Sequence, residues 1–332
     1  MEELISTKKH FSKLGWFYLT ATGIILAVQL LMSLLINLFC PRILENMNIN
    51  ILLGMVPMYL AGFPLLVLML NKQVPAQKPE RHKMTAGQYI LSAIICLGLA
   101  YAANIAGNIL TTFIGLITGK PVENEILSVV DSLHPAVILL YMVICAPIVE
   151  EFIFRKLIVD RALRYGQGVA VVLSGLMFGL FHGNLNQFVY AAVIGMFLAF
   201  LYVKTGNLKI TVSLHMLFNF IGGFLSSLLM KAINLEEYME AATTGNMQAI
   251  MQQIMGNLGA WILYGLFTLF VICILIAGIV LFIVFAAKRK FTLDRGEVII
   301  PKELKFNLIF ANPGMLAFML IWLVRIVIQL FV

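Results

Sequence analysis

Runs of about 20 apolar residues recur from one end of the chain to the other, and this feature limits the possible folds more than any other. A run of that length can cross the hydrocarbon core of a bilayer as one helix. The chain has 332 residues, of which 61% are hydrophobic and 12% charged, whereas a soluble domain carries about 25% charged residues. The composition therefore excludes a soluble enzyme, a nucleic-acid-binding domain and a disordered chain.

Nine segments are apolar enough to lie in the membrane, and polar residues bound each of them. They are 16–39, 51–70, 87–118, 135–154, 168–183, 187–203, 210–230, 258–287 and 308–332. Each is expected to be helical, because a backbone surrounded by lipid must form its hydrogen bonds internally. We therefore predict an all-α polytopic membrane protein of about eight to nine transmembrane helices. They form one bundle and one domain over residues 1–332, with a polar cavity inside the membrane.

The basic residues are distributed unevenly between the two sides of this predicted bundle. If the N-terminus is placed inside, the cytoplasmic segments hold 19 of the 23 Lys and Arg residues. The outer loops hold Arg42, Lys120 and Lys231, and Arg325 lies in the last span. Because cytoplasmic loops carry such an excess, we predict a multi-pass cell-membrane protein with a cytoplasmic N-terminus. The distribution also accounts for the net charge of +7 without a nucleic-acid partner.

The long outer loop before the eighth span has a helical pattern of apolar residues. The spacing i, i+3, i+4, i+7, i+8 is followed by Met247, Ile250, Met251, Ile254 and Met255. We predict an amphipathic helix that lies on the outer membrane surface.

Two adjacent carboxylates, Glu150 and Glu151, are the only acidic residues inside the predicted spans. An ionised side chain at mid-bilayer costs roughly 2.5–3.5 kcal/mol even on lenient insertion scales, so such residues usually mark a functional site facing the interior of the bundle. Glu151 and Arg155 have i, i+4 spacing and are expected to pair on one helix face. Glu150 points about 100° away from Glu151. The alternative is that both glutamates lie near the cytoplasmic interface and only pair with Arg155 and Lys156.

Two later spans carry further polar residues at helical spacing. Phe178 and His182 have i, i+4 spacing, as do His215 and Asn219. In an antiparallel helix pair, Glu150 and His182 lie at a similar depth, each roughly 21 Å from the turn near 165–168. His215 lies only about 9 Å past its own turn. These depths agree if residues 155–168 project into the cytoplasm and the fifth segment ends inside the membrane, with Gly183–Asn186 as a buried break. A small-residue stripe of Gly175, Gly179 and Gly183 predicts close helix packing there.

The three polar motifs together resemble the CPBP family, which includes the CAAX-processing endoproteases. The family pattern is E-E-x-x-x-R, then F-x-x-x-H, then H-x-x-x-N on a later helix. Here it is matched in order by Glu150, Glu151, Arg155, Phe178, His182, His215 and Asn219.

The resemblance implies an intramembrane endopeptidase with its catalytic core at about 135–230, acting on a membrane-associated peptide or protein substrate. It implies that Glu150 activates the attacking water with help from His182, and that His215 and Asn219 stabilise the oxyanion. Glu151 and Arg155 would hold the first of these helices in place. A partly desolvated glutamate is a good general base, and Asn and His side chains are suitable oxyanion donors.

The residues leave three questions open. No cofactor is favoured, but zinc is a possible one, since Glu and His are acceptable zinc ligands although the chain has no H-E-x-x-H motif. A non-catalytic membrane protein for immunity or sensing, which keeps the constellation as a polar core, is a second candidate function. A transporter in which Glu150 carries protons is a third, although the inverted repeat typical of transporters is not evident.

Overall fold

A computed structural model of the protein describes residues 2–120, 122, 130 and 132–331. Within these residues the chain is helical, with no strand. The main helices, in chain order, are α1 (Glu2–Phe39), α2 (Met47–Gln73), α3 (Ala86–Thr118), α4 (Pro135–Tyr165), α5 (Gln167–Phe181), α6 (Leu185–Thr205), α7 (Leu208–Ala232), α8 (Leu235–Thr243), α9 (Met247–Gly256), α10 (Leu258–Ala287), α11 (Lys302–Ile309) and α12 (Pro313–Gln329). A short helix, Arg42–Glu45, precedes α2.

Seven described helices are long and apolar enough to cross a membrane, and the bent pair of α11 and α12 brings the count to eight. The predicted fold class, an all-α polytopic membrane protein, is therefore confirmed. Which side of the membrane holds the N-terminus stays a prediction, as does the surface position of α9. The predicted amphipathic segment is helical as expected.

The first helix is longer than the predicted span 16–39, because it already begins at Glu2. The segment before residue 16 has no proline and places Phe11 and Leu14, both fully buried, against the rest of the bundle. A polar N-terminal segment with one apolar face is thus extended into a helix by tertiary packing, which hydropathy alone does not reveal.

The predicted last span, 308–332, is wrong at its start, and its last residue lies outside the described residues. Helices α11 and α12 meet at an angle of 69°. Asn312 fixes this break, since its side-chain oxygen accepts a hydrogen bond from the Met315 N–H at 3.0 Å and its amide donates to the carbonyls of Leu308 and Ile309. Pro313 follows at the first helical position, where a missing N–H costs nothing.

A second break separates α5 from α6, as the sequence predicted. It is shorter than Gly183–Asn186, because Asn184 caps α6 by accepting from the Gln187 N–H at 2.8 Å and Asn186 already belongs to α6. Gly183 has φ +67°, a left-handed conformation that strains any residue with a Cβ. Asn184 and Asn186 are both buried.

Helices α5 and α6 form the most extensive helix pair of the bundle, and α6 in turn packs on α3. The predicted small-residue stripe explains the first contact: a Cβ on Gly179 would lie 2.8 Å from the Cβ of Ala192 and 2.9 Å from the Phe188 carbonyl oxygen. A Cβ on Gly175 would likewise collide with the side chain of Met196. The third member of the stripe, Gly183, contacts Arg325 of α12 instead.

Replacement of Gly179 by valine should destabilise the protein by about 1–3 kcal/mol, because a β-branched side chain overpacks this helix contact. The measurement is thermal unfolding of the detergent-solubilised protein. Gly265→Val is the matched control, since Gly265 also lies in an apolar helix but has no atom within 4 Å of an added Cβ. Equal stability of the two variants would contradict the close packing of α5 on α6.

Candidate active site

Helix α4 presents the two glutamates from an irregular backbone. Glu150 and Glu151 end the α-helical stretch Ala146–Glu151, which lies between two wider π-helical stretches, Leu139–Cys145 and Phe152–Val159. Such stretches are rare and often occur at functional sites. The wider turn before Pro147 accommodates its missing N–H, and α4 continues through this proline as one span.

Side chains from three other helices satisfy carbonyl groups along these wider stretches. The Tyr18 hydroxyl donates to the Ile153 carbonyl at 2.6 Å, and the Ser174 hydroxyl donates to the Phe154 carbonyl at 2.7 Å. The amide of Asn219 donates to the Met142 carbonyl at 2.7 Å. Helices α1, α5 and α7 are thereby tied to α4 on both sides of the glutamate pair.

Glu151 is fully buried and lies between two cationic or potentially cationic groups. Its Oε1 is 2.9 Å from Nη2 of Arg155, so the predicted i, i+4 pairing is confirmed, and both side chains have 0% exposure. The same oxygen is 3.0 Å from Nδ1 of His215 on α7. Lys156 pairs with Asp160 at 3.0 Å, so the alternative in which it pairs with the glutamates does not hold.

Phe178 of α5 is the apolar centre of this arrangement. Its ring lies 4.5 Å from the Arg155 guanidinium carbon, an arrangement that supplies cation–π attraction. The ring also meets the edges of His182 and His215, with centroid distances of 4.8 Å and 5.7 Å. One buried aromatic ring therefore spaces the two histidines and shields the ion pair.

Glu150 points away from Glu151 and lines a cavity of about 380 Å³ between the helices. Its side chain is 19% exposed, and its Oε2 lies 3.7 Å from Nε2 of His215. His182 and Asn219 line the same cavity. The structure thus brings Glu150, His182, His215 and Asn219 together, whereas Glu151 and Arg155 lie behind His215 with no exposed side-chain surface.

The hydrogen bonds of His182 and His215 determine which ring nitrogen carries a proton. The Nδ1 of His182 is 2.8 Å from the Phe178 carbonyl oxygen, which can only accept, so Nδ1 carries the proton and Nε2 of the neutral ring is an acceptor. The Nδ1 of His215 donates to the Glu151 carboxylate in the same sense. His215 offers a second N–H at Nε2 only as the imidazolium.

Sequence reasoning missed several residues of the cavity wall. Four polar residues that it did not single out line the cavity, namely Tyr59, Tyr141, Tyr190 and Gln187, whereas Asn184 belongs to the predicted break. Tyr59 lies on α2, outside the predicted core 135–230, and its buried hydroxyl has no hydrogen-bond partner among the residues that the structure describes. Single tyrosines within apolar runs carry no spacing signal, so only the fold reveals their position.

A metal ion in this site would need several His, Cys, Asp or Glu side chains as ligands. Among the residues that the structure describes, no three His, Cys, Asp or Glu side chains are grouped closely enough to hold one. His215 is already engaged by Glu151 through one ring nitrogen. Zinc, which the sequence left possible as a cofactor, stays a prediction.

Comparisons with known proteins agree with the motifs. A family model described as "Type II CAAX prenyl endopeptidase Rce1-like" matches residues 132–221, which include all seven residues of the three sequence motifs. The chain is also similar to "Putative membrane peptidase YdiL" of Bacillus subtilis (strain 168), with 29% identity over 198 residues, 58% of this chain and 75% of that protein. No solved structure matches the chain significantly.

These matches confirm the resemblance to CPBP family proteases. Both comparisons lead to membrane peptidases, and the chain itself is a multi-pass helical protein. They therefore support intramembrane protease activity.

Removal of the Arg155 guanidinium should destabilise the protein by about 3–5 kcal/mol, because it leaves the buried Glu151 carboxylate without its main compensating charge. The test is thermal unfolding of Arg155→Met. Lys204→Met is the control, since Lys204 pairs with Asp294 on the surface, where a pair contributes about 0–1 kcal/mol. The double variant Glu151→Met/Arg155→Met should recover part of the loss, and a wild-type stability of Arg155→Met would contradict this account.

Proposed function

We propose that the protein is an intramembrane endopeptidase that hydrolyses a peptide bond of a membrane-associated or lipid-linked peptide. The observation that carries the proposal is the convergence of Glu150, His182, His215 and Asn219 on one cavity enclosed by apolar helices. A carboxylate, an acceptor imidazole and two potential N–H donors are the groups that water-mediated hydrolysis of an amide requires.

In this mechanism, a water molecule lies between the Glu150 carboxylate and Nε2 of His182. Glu150 removes a proton from the water while His182 accepts a hydrogen bond and orients it, and the oxygen attacks the carbonyl carbon of the substrate. Collapse of the tetrahedral intermediate breaks the C–N bond, and Glu150 returns the proton to the leaving nitrogen. The proton taken from water thus ends on the new amine.

The oxyanion would be stabilised from α7. Asn219 uses one amide hydrogen for the Met142 carbonyl, and its second N–H is available for the substrate. His215 donates its Nδ1–H to Glu151, and its Nε2 faces the cavity, where it can donate to the oxyanion only when the ring carries both protons. The Glu151–Arg155 pair acts on catalysis by positioning His215.

The walls of the cavity support an apolar, membrane-embedded substrate. Its apolar lining comes from α2, α4, α5, α6 and α7, and includes Ile51, Met58, Met142, Phe181, Ala191, Ile194 and Phe218. Expulsion of bulk water from such a site strengthens the interactions with the developing charge. A second candidate, a non-catalytic immunity or sensing protein, would need the same polar cavity but no proton transfer by Glu150.

Replacement of Glu150 by alanine should lower turnover by about 10²–10⁴, the usual contribution of a general base, while the protein remains folded. Comparative peptidomics of membranes that contain wild type or Glu150→Ala should reveal peptides that are no longer trimmed. Glu45→Ala, at an exposed position outside the cavity, should leave the peptide pattern unchanged. Unaltered trimming by Glu150→Ala would exclude the proposed base and favour the non-catalytic candidate.

The metal-free form of the mechanism predicts that chelators leave the activity intact. Cleavage of a peptide found by the comparison above should be unchanged after dialysis of the purified protein against a zinc chelator. Loss of cleavage on dialysis, with recovery on addition of zinc alone, would instead establish the metalloprotease alternative.

A further inference from the structure

A second cavity, of about 640 Å³, lies at the opposite end of α5 from the candidate active site. It is formed by the first two turns of α5, the loop 293–300 and α11, and we call it the α5–α11 groove. Gly168 on its wall and His182 in the active site are separated by 14 residues of sequence, or about 21 Å along the helix. The groove is therefore distinct from the peptidase cavity.

The walls of the groove are apolar and its rim is basic. The apolar part is formed by Val169, Val172, Val298, Ile300, Ile309 and Phe310. Three cations also line it: Arg295, Lys302 and Lys305. Across the residues that the structure describes, none of the three has an ion-pair or hydrogen-bond partner.

Asp294 is the one acidic residue among the described residues that line the groove, and it is already paired. The Asp294 carboxylate accepts a hydrogen bond from Nζ of Lys204 at 3.1 Å. Among the described residues that line the groove, the three cations Arg295, Lys302 and Lys305 therefore remain without a counter-ion, beside apolar walls.

The surface around the groove is suited to contact with a bilayer. Ile299 and Phe306 flank it with 74% and 68% exposure, values that are unusual for such side chains in a purely aqueous setting. Helix α11 leaves α12 at 69°, so it does not continue the direction of that span. Interfacial segments of this kind combine apolar side chains with Lys and Arg.

We propose that the α5–α11 groove binds an anionic phospholipid from the leaflet on this side of the bundle. The phosphate would contact Arg295, Lys302 and Lys305, and an acyl chain would occupy the apolar part along α5. Charge complementarity selects an anionic headgroup over a zwitterionic one, and the apolar walls select a lipid over a soluble anion. Bound lipid would join the loop 293–300 to α5 and α11.

Native mass spectrometry of the full-length protein in detergent tests the proposal, with phosphatidylglycerol and phosphatidylcholine as probes. Wild type should retain the anionic lipid at least tenfold more strongly than the zwitterionic one. Arg295→Gln/Lys302→Gln/Lys305→Gln should lose this preference. The control Lys288→Gln/Arg289→Gln/Lys290→Gln removes three charges from the same connection but outside the groove, and should keep it. Equal losses in both triple variants would show a diffuse charge effect and overturn the site.

Two further binding experiments distinguish a bound lipid from a bound free anion. Val172→Trp fills the apolar part and leaves the charges in place, so long-chain phosphatidylglycerol should bind at least tenfold more weakly, while a dihexanoyl analogue binds as in wild type. Displacement of the long-chain lipid by inorganic phosphate at millimolar concentration would overturn the lipid assignment. If the groove triple variant does not fold, Lys305→Glu compared with Lys290→Glu gives the same test with one charge.

Discussion

The site depends on the compensation of one buried charge, the carboxylate of Glu151. It lies against the Arg155 guanidinium and the His215 imidazole, with no exposed surface of its own. The first partner comes from the same helix and the second from α7, so the hydrogen bond between His215 and Glu151 fixes the position of α7 relative to α4. Because the carboxylate also orients His215 through Nδ1, the ring presents Nε2 to Glu150. The contact between Glu151 and His215 therefore both stabilises the fold and sets the geometry of the proposed chemistry.

The irregular backbone around this charge has a clear role. The first wider stretch of α4 and the break between α5 and α6 contribute residues to the cavity wall, whereas the second wider stretch is buried in the bundle. Named side chains form hydrogen bonds with the backbone at each of them. Tyr18, Ser174 and Asn219 occupy carbonyl groups of α4, and Asn184 caps α6. Non-helical or loosened backbone inside a membrane is tolerated where it lines a cavity or is buried in protein, and here it does both.

Much of the architecture was predictable from sequence because lipid imposes a simple rule on length and hydropathy. Predicted segments such as 87–118 and 258–287 agree with α3 and α10 to within one residue at each end. The i, i+4 pairing of Glu151 with Arg155 and the break after His182 also followed from spacing.

Other features depend on contacts between distant parts of the chain, which residue spacing in the sequence does not predict. The start of α1 at Glu2 requires the burial of Phe11 and Leu14 against other helices. The bend at Asn312 depends on a side-chain cap that competes with an otherwise continuous apolar run. Tyr59 reaches the cavity only because α2 packs beside α4, and the engagement of Glu151 by His215 requires two helices that are distant in sequence. Long-range packing therefore determines the parts that hydropathy and helical periodicity leave open.

The central claim is that residue 150 faces a water-accessible cavity, whereas Ile148 on the same helix faces outward from the bundle. Cysteine labelling in native membranes tests it most directly, after replacement of the natural Cys40, Cys96, Cys145 and Cys273. The account predicts that Glu150→Cys reacts with a small aqueous methanethiosulfonate, whereas Ile148→Cys, at a position with 47% exposure on the outer face of the same helix, does not. Labelling of position 148 with protection of position 150 would contradict it.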